Sequence, residues 1–326
     1  MSVFSYVKAK SVKEASNYLS QPGAIMIAGG TDLLPRMRNE TVKPEVLVDI
    51  SEIEIIKKIE VNGKKVNLGT GVKLIDLIKD EKLNQVAPEL LKAIKRVASP
   101  QIRNAATLGG NLCRFTRCQY FNQSYHWRED IGQCYRAGGD VCFQRKNSPA
   151  CVASFYSDIA PLLVAADALV TIEGQKGERE IKLLDLYQKD GSLSLQMGEL
   201  ITSIEYENKD HHGWSFLARN LRRTIDFGIG MAAVVIGVDP EKRTCLKAAI
   251  IVGAVAPYPY KANEAEALLI GSVLDEELIN AAADLAVKDI MPVTEAFCTP
   301  KYKRRLMKVL VERAIEEAYQ EAFKLY

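Results

Sequence analysis

Five of the seven cysteines in this 326-residue chain, Cys113, Cys118, Cys134, Cys142 and Cys151, fall within one 39-residue stretch. Any fold the chain adopts has to place that stretch. It also carries Phe115, Tyr120, Phe121, Tyr125, Trp127, Tyr135 and Phe143, with Arg114, Arg117, Arg128, Arg136, Arg145 and Lys146 among them. Thiols beside cations and under aromatic cover suit a metal ion or an iron–sulfur cluster. From Cys118 the next three cysteines follow at gaps of 16, 8 and 9 positions. That spacing is neither a zinc ribbon nor a ferredoxin run. On spacing alone a cluster, a structural zinc and unligated buried thiols all stay open. Cys113 is surplus to a set of four, and Cys245 and Cys298 stand alone in contexts that suit packing.

Composition narrows the setting. Forty-three basic and 41 acidic residues give a net charge of +2, without the strongly basic face expected of a nucleic-acid binder. No apolar run approaches the roughly 20 residues that span a bilayer. The N-terminal residues lack a charged segment followed by an apolar one, so no signal peptide is expected. A cytoplasmic, reducing setting follows, in which clustered cysteines serve as ligands before disulfides.

Two glycine pairs flank the chain's first third. Ser11 with Glu14 predicts a capped helix over 11–20. An apolar run, Ala24 to Ala28, predicts a buried strand that enters Gly29-Gly30-Thr31-Asp32-Leu33. Val46 to Ile50 predicts a second strand. The stretch from Ile53 to Gly69 predicts a hairpin turning at Asn62-Gly63. Lys73–Lys79 and Pro88–Ala98 are expected to be helical. The second glycine element is Thr107-Leu108-Gly109-Gly110-Asn111. Glycine lets a backbone turn tightly and bare its N–H groups to an anion. Two such loops can grip both ends of a diphosphate-bearing cofactor, and the alternative for each is a plain turn. After the cysteine stretch, Ser157 to Ala166 is expected to be helical. Ala168–Ile172, Arg179–Leu183 and Gly198–Tyr206 are expected as strands. Beyond a boundary near Asn208 to Gly213, three strands (Trp214–Asn220, Met231–Val238, Leu246–Val255) precede three helices (Asn263–Leu269, Asp275–Lys288, Tyr302–Lys324). Strands followed by helices predict a separate α+β domain.

No residue set suits acid–base or nucleophilic catalysis. Histidine is confined to His126, His211 and His212. His126 is expected to hydrogen-bond rather than ligate, and His211 and His212 to lie in a solvated loop. Arg219, Arg222 and Arg223, with Asp226, are expected on a solvated face.

The two glycine elements, followed by Ser157-Asp158-Ile159-Ala160-Pro161, resemble the flavoprotein subunit of the xanthine oxidase family of molybdenum hydroxylases. The resemblance runs over essentially the whole chain. It implies an α+β fold: a two-subdomain FAD-binding domain of the vanillyl-alcohol-oxidase or PCMH-like type, then a C-terminal α+β domain with a strand sheet and packed helices. The implied division is 1–210 (subdomains 1–60 and 61–210, with an iron–sulfur insertion at 113–156) and 211–326. It further implies that FAD lies against Met26, Ile27, Ala28, Gly29, Gly30, Thr31, Asp32 and Leu33, with Val97, Thr107, Leu108, Gly109, Gly110, Asn111, Asp158 and Ile201 completing the pocket. Many relatives carry a lysine near the flavin where this chain has Ala218; Arg219 is the expected substitute.

Within that family the cysteine stretch is similar to the insertion of the 4-hydroxybenzoyl-CoA reductase medium subunit. This implies a [4Fe–4S] cluster on Cys118, Cys134, Cys142 and Cys151. The implied partners are a molybdenum-cofactor large subunit, a small subunit with two [2Fe–2S] clusters and a ferredoxin-type electron donor. The expected function is electron transfer between that donor, the cluster, FAD and the partner subunits, for reductive dehydroxylation of 4-hydroxybenzoyl-CoA. The alternatives are the FAD subunit of a related hydroxylase working oxidatively on another aromatic or heterocyclic substrate, and an assembly module with structural zinc.

Overall fold

A computed structural model of the chain describes residues 3–222, 225–295 and 297–324; Arg223 lies outside them. The N-terminal subdomain is a small parallel sheet in the order β1-β3-β2, with β1 (Ser5–Lys8), β2 (Ala24–Ile27) and β3 (Val46–Asp49). Helix α1 (Val12–Leu19) joins β1 to β2, and α2 (Leu33–Arg38) follows the first glycine pair. The α1 cap forms as its sequence predicts: Ser11 Oγ accepts from Glu14 N–H at 3.2 Å. The Glu14 carboxylate reaches back one residue further than a capping box requires, to Lys10 N–H at 2.8 Å.

The second subdomain is a five-stranded antiparallel sheet in the order β4-β5-β8-β6-β7. Its strands are β4 (Ile59–Asn62), β5 (Lys65–Gly69), β6 (Leu169–Gly174), β7 (Gly177–Lys182) and β8 (Leu200–Glu207). Ile53 to Lys57 departs from the expected hairpin: Glu54–Lys57 is a 3-10 turn. Backbone at Gly69 and Gly71 presses on Ile56 there, so tertiary packing overrides the β-branched composition. The turn also shifts by one residue, since Asn62 pairs with Lys65 and leaves Gly63-Lys64 between them. Between β5 and β6 run seven short helices: α3 (Leu74–Lys79), α4 (Glu81–Val86), α5 (Pro88–Arg96), α6 (Pro100–Arg103), α7 (Leu108–Leu112), α8 (Tyr125–Ile131) and α9 (Ala160–Ala165).

The C-terminal domain has a four-stranded antiparallel sheet, β9 (His212–Asn220), β10 (Gly228–Val238), β11 (Cys245–Gly253) and β12 (Tyr260–Lys261), in the order β12-β11-β10-β9. Every residue of β10 is buried. The reason is that both faces are covered. Met231, Ala233 and Val235 join the core shared with α9 and the second subdomain. Ala232, Val234 and Ile236 face α10 (Asn263–Leu269), α11 (Glu276–Lys288) and α12 (Pro300–Glu321). A strand buried on two sides has no polar alternation to show. No helix among the described residues is long and apolar enough to cross a membrane.

The cysteine segment is clamped between the domains. Arg128 Nη2 donates to the carbonyls of Asn39 and Glu40 at 3.0 and 3.1 Å. Gln144 Nε2 donates to Thr294 O at 2.8 Å, and Arg145 donates to Met291 O. Just after it, the Tyr156 hydroxyl donates to Glu295 Oε1 at 2.6 Å, and the same oxygen accepts from the fully buried Lys303 Nζ at 2.7 Å. Removing that carboxylate strands a buried ammonium, which costs about 3–5 kcal/mol. Glu295→Ala is expected to lower the unfolding free energy by that amount in urea titrations. Adding Lys303→Met is expected to recover most of the loss.

Candidate functional site

The first glycine element meets, backbone to backbone, the residues that lead into the second. A Cβ added at Gly29 would lie 2.0 Å from the Ala105 carbonyl oxygen. Gly30 has φ +68°, a left-handed conformation that suits glycine. The second element is not a loop. Thr107 is the N-cap of α7, its Oγ1 accepting from Gly110 N–H at 3.1 Å, and the glycines form that helix's first turn. Glycine at 109 is required by contact: a Cβ there would stand 2.7 Å from Thr70 Cβ. Thr70 in turn donates from Oγ1 to Ile201 O at 2.6 Å and accepts at its carbonyl from Gly109 N–H at 2.8 Å. The second element is thereby stitched to β8.

Two adjoining cavities open at this meeting point, about 270 and 340 Å³ in volume. Met26, Ile27, Ala28, Gly29, Gly30, Thr31, Asp32, Leu33, Thr107, Gly109, Gly110 and Ile201 line the first. Val97, Asn111 and Asp158 line the second, which shares Thr31, Asp32, Ala106, Gly110 and Arg114 with the first. Leu108 is fully buried in the hydrophobic core and lines neither. Arg219 also lines neither. It sits with Lys95, Arg96 and Arg103 along a neighbouring groove, while Ala218 is held by its carbonyl, which accepts from Arg96.

Arginines supply the charge: Arg114 and Arg117, named above with the cysteine stretch, and Arg36, which sequence patterning did not single out. Asp32 accepts from Arg117 at 2.6 Å and lies 3.7 Å from Arg114 and 3.9 Å from Arg36. Three guanidinium groups against one carboxylate leave the junction positive. Burial pulls the Arg114 and Arg36 values down from their ordinary range. The Nε atoms of Arg36, Arg114 and Arg117 are buried without a hydrogen-bond partner among the described residues. Their signal was present in the sequence only as cations close behind each glycine pair.

Asp158 is presented by a local turn. Ser157 Oγ accepts from Ile159 and Ala160 N–H at 3.2 and 2.9 Å, and its hydroxyl donates to Asn111 Oδ1 at 2.6 Å. The Asp158 carboxyl is 4% exposed, and Oδ1 lacks a partner. Burial raises its pKa to about 6, against the pull of Arg114 and Arg96. Cys113, on the wall of the first cavity, is pushed by burial to about 12 and is an inert thiol rather than a ligand.

Cys118, Cys134, Cys142 and Cys151 line one small cavity with Tyr120, Phe121, Tyr135, Arg136, Val141, Phe143, Gln144 and Ala153. All seven cysteines are unpaired, and Cys245 and Cys298 are buried as expected of packing residues. Burial raises the Cys118 value, and Cys151 and Cys134 are near enough to raise it further. Among the described residues there is no group of three or more His, Cys, Asp or Glu that could hold a metal ion. His126 is exposed and packs edge-on against Tyr125, away from that cavity. His212 corrects the expectation of a solvated loop: it lies on β9, and burial lowers its pKa to about 4.

A glycine-walled cleft between two α/β subdomains, followed by a sheet capped with helices, defines a two-domain FAD-binding protein of the PCMH-like type. Residues 2–206 match the FAD-binding domain in molybdopterin dehydrogenase, and residues 217–318 match the carbon monoxide dehydrogenase flavoprotein C-terminal domain. The chain belongs to the FAD-binding medium subunits of the xanthine oxidase and carbon monoxide dehydrogenase family of molybdenum hydroxylases. Among its relatives, the 6-hydroxypseudooxynicotine dehydrogenase complex subunit alpha of Paenarthrobacter nicotinovorans is 28% identical, over 98% of this chain and 95% of that one. The aldehyde oxidoreductase FAD-binding subunit of Escherichia coli is 29% identical, over 96% and 98%. The solved carbon monoxide dehydrogenase of Hydrogenophaga pseudoflava matches at a TM-score of 0.81 and 26% identity, over 98% of each chain. The chain is accordingly an oxidoreductase subunit, and its cofactor is FAD.

Gly29→Ala, which must push the Ala105 carbonyl aside, is expected to lower the FAD content of the purified chain at least tenfold and to lower its unfolding midpoint in urea. Asp158 predicts a pH effect in the flavin-free chain. Its folded value near 6 stands above its ordinary 3.8. Its contribution to stability is therefore full below pH about 4 and is lost as pH rises through 6, roughly 3 kcal/mol in all. Asp158→Asn should match wild type near pH 4 and exceed it in denaturant titrations at pH 8.

Proposed function

We propose that this chain is the FAD- and [4Fe–4S]-carrying subunit of a molybdenum-dependent complex that removes the hydroxyl of 4-hydroxybenzoyl-CoA. The observation that carries the reading is the convergence of Cys118, Cys134, Cys142 and Cys151 on one cavity. Four thiols and no surplus acid or imidazole on that wall suit an iron–sulfur centre. Around one zinc, at about 2.3 Å per sulfur, four thiolates crowd together.

In this reading the flavin's diphosphate lies at the junction where Asp32 gathers Arg36, Arg114 and Arg117, against N–H groups of the first glycine element and side-chain donors of the second. The three unpartnered Nε–H groups and the exposed backbone suit an anion there. Asp158 Oδ1 is an acceptor awaiting a hydroxyl or amine of the cofactor. Thr107 and Asn111 keep side-chain donors for it, since Thr107 Oγ1 accepts from Gly110 N–H and Asn111 Oδ1 accepts from Ser157, which leaves the hydroxyl hydrogen and the amide NH2 free to donate. A bound flavin exchanges electrons in pairs or singly and so can serve one-electron centres. The absence of an acid–base set is consistent with a conduit whose substrate site is on another chain. The proposed partners are a molybdenum-cofactor large subunit, a small subunit with two [2Fe–2S] clusters and a low-potential, ferredoxin-type donor. The division after residue 210, the subdomains 1–60 and 61–210, and the insertion 113–156 belong to the same proposal.

A second reading keeps FAD and runs the complex oxidatively on another aromatic or heterocyclic substrate. Relatives named for dehydrogenation favour it. Turnover with a reduced low-potential dye and aryl-CoA thioesters distinguishes the two: dehydroxylation supports the first, and none with any thioester supports the second. Metal analysis of anaerobically purified chain tests the cysteine site. About four irons with matching sulfide are expected; one zinc and no iron would overturn the cluster. Cys134→Ser is expected to lose iron and keep FAD. Loss of FAD with iron retained would contradict the separation of the two sites.

A further inference from the structure

A stack of side chains joins the cofactor cavity to the cysteine cavity. Arg36 lines the first, and its guanidinium carbon lies 4.0 Å from the centroid of the Phe115 ring. Arg136 lies 4.2 Å from the centroid of the same ring. Arg136 also lines the cysteine cavity, and its Nε–H donates to Cys151 Sγ at 3.1 Å. Its Nη1 is buried with no hydrogen-bond partner among the described residues. The second subdomain closes on it from outside, since a Cβ at Gly191 would stand 3.3 Å from Arg136 Nη2. Hence a guanidinium that elsewhere would turn to water is fixed against one of the four sulfurs.

We propose that Arg136 is the positioning residue that sets the reduction potential of the centre held by the four cysteines. The inference rests on the cluster reading above. Four thiolates make the site anionic, and one-electron reduction adds a further negative charge. A fixed cation with an N–H···S bond favours the reduced form more than the oxidised one. Partial burial keeps that preference from being screened. The step is simple: one electron from the reductant enters the cluster, no bond breaks and no proton is taken up. Phe115, with Arg36 on it, keeps the guanidinium at the sulfur. Aromatic cover of this kind suits arginine's planar cation better than lysine's point charge.

The test is a redox titration with dithionite, followed by electron paramagnetic resonance, on the full chain in its complex. Arg136→Gln is expected to assemble iron and sulfide as wild type does. It should shift the reduction equilibrium about tenfold toward the oxidised cluster, which for one electron is a potential about 59 mV lower. Arg136→Lys, which keeps the charge, is expected to stay within about threefold of wild type. Full iron with an unmoved potential in Arg136→Gln would overturn the role of Arg136 and leave the cluster standing. So would an Arg136→Lys chain that shifts as far as Arg136→Gln, or two variants that both assemble no iron. A wild-type chain without iron would overturn the cluster reading itself and this inference with it.

Discussion

The architecture depends on a contact in which there is no space for a side chain. Gly29 lies so close to the Ala105 carbonyl that a single methyl group would overlap it. Through that contact the small parallel sheet and the larger antiparallel sheet approach at the level of bare backbone. The cleft between them inherits its walls from both, and its position is fixed by two hydrogen-bonded seams. Ile50 N–H donates to Ile27 O at 3.0 Å on one side, and Gly109 N–H donates to Thr70 O at 2.8 Å on the other. In such a cleft the main chain can supply donors from the first element, while the second offers side chains.

Charge is then concentrated where the cavities join. Asp32 stands just after the first glycine pair; Arg114 and Arg117 stand just after the second. Bringing the pairs together also brings these residues together, so the ion cluster follows from the backbone contact. The cysteine segment begins at the same point. It leaves α7, makes its excursion and returns at Ser157, whose hydroxyl bonds Asn111 at the end of the same short helix. Its two ends are therefore pinned side by side at the cofactor cleft. Whatever the four thiols hold sits next to that cleft by construction.

Much of this was legible in the residues. Apolar runs ending in Gly-Gly, the Ser11 cap and the doubly buried β10 announce themselves by pattern. The clustering of Cys118, Cys134, Cys142 and Cys151 foretold a shared cavity. What was not legible depended on tertiary packing. The 3-10 turn at Glu54–Lys57 exists because Gly69 and Gly71 press on Ile56, and nothing local says so. Thr107 and Asn111 each use an acceptor atom for structure, a role their sequence pattern does not announce. Arg219 adjoins Ala218 in sequence, and both line a neighbouring groove rather than either of the two adjoining cavities. Arg36 could not be joined to Arg114 and Arg117 from sequence, because it comes from a distant segment.

The central claim is that both glycine elements bind one flavin at a single junction. A solved structure of the chain with FAD bound tests it most directly. The account predicts the diphosphate within hydrogen-bond reach of backbone N–H groups of Gly29–Leu33 and of the Thr107 hydroxyl or the Asn111 side-chain amide, beside the Arg114 guanidinium. A flavin held by one element alone, or one lying in the groove along Arg219, would contradict it.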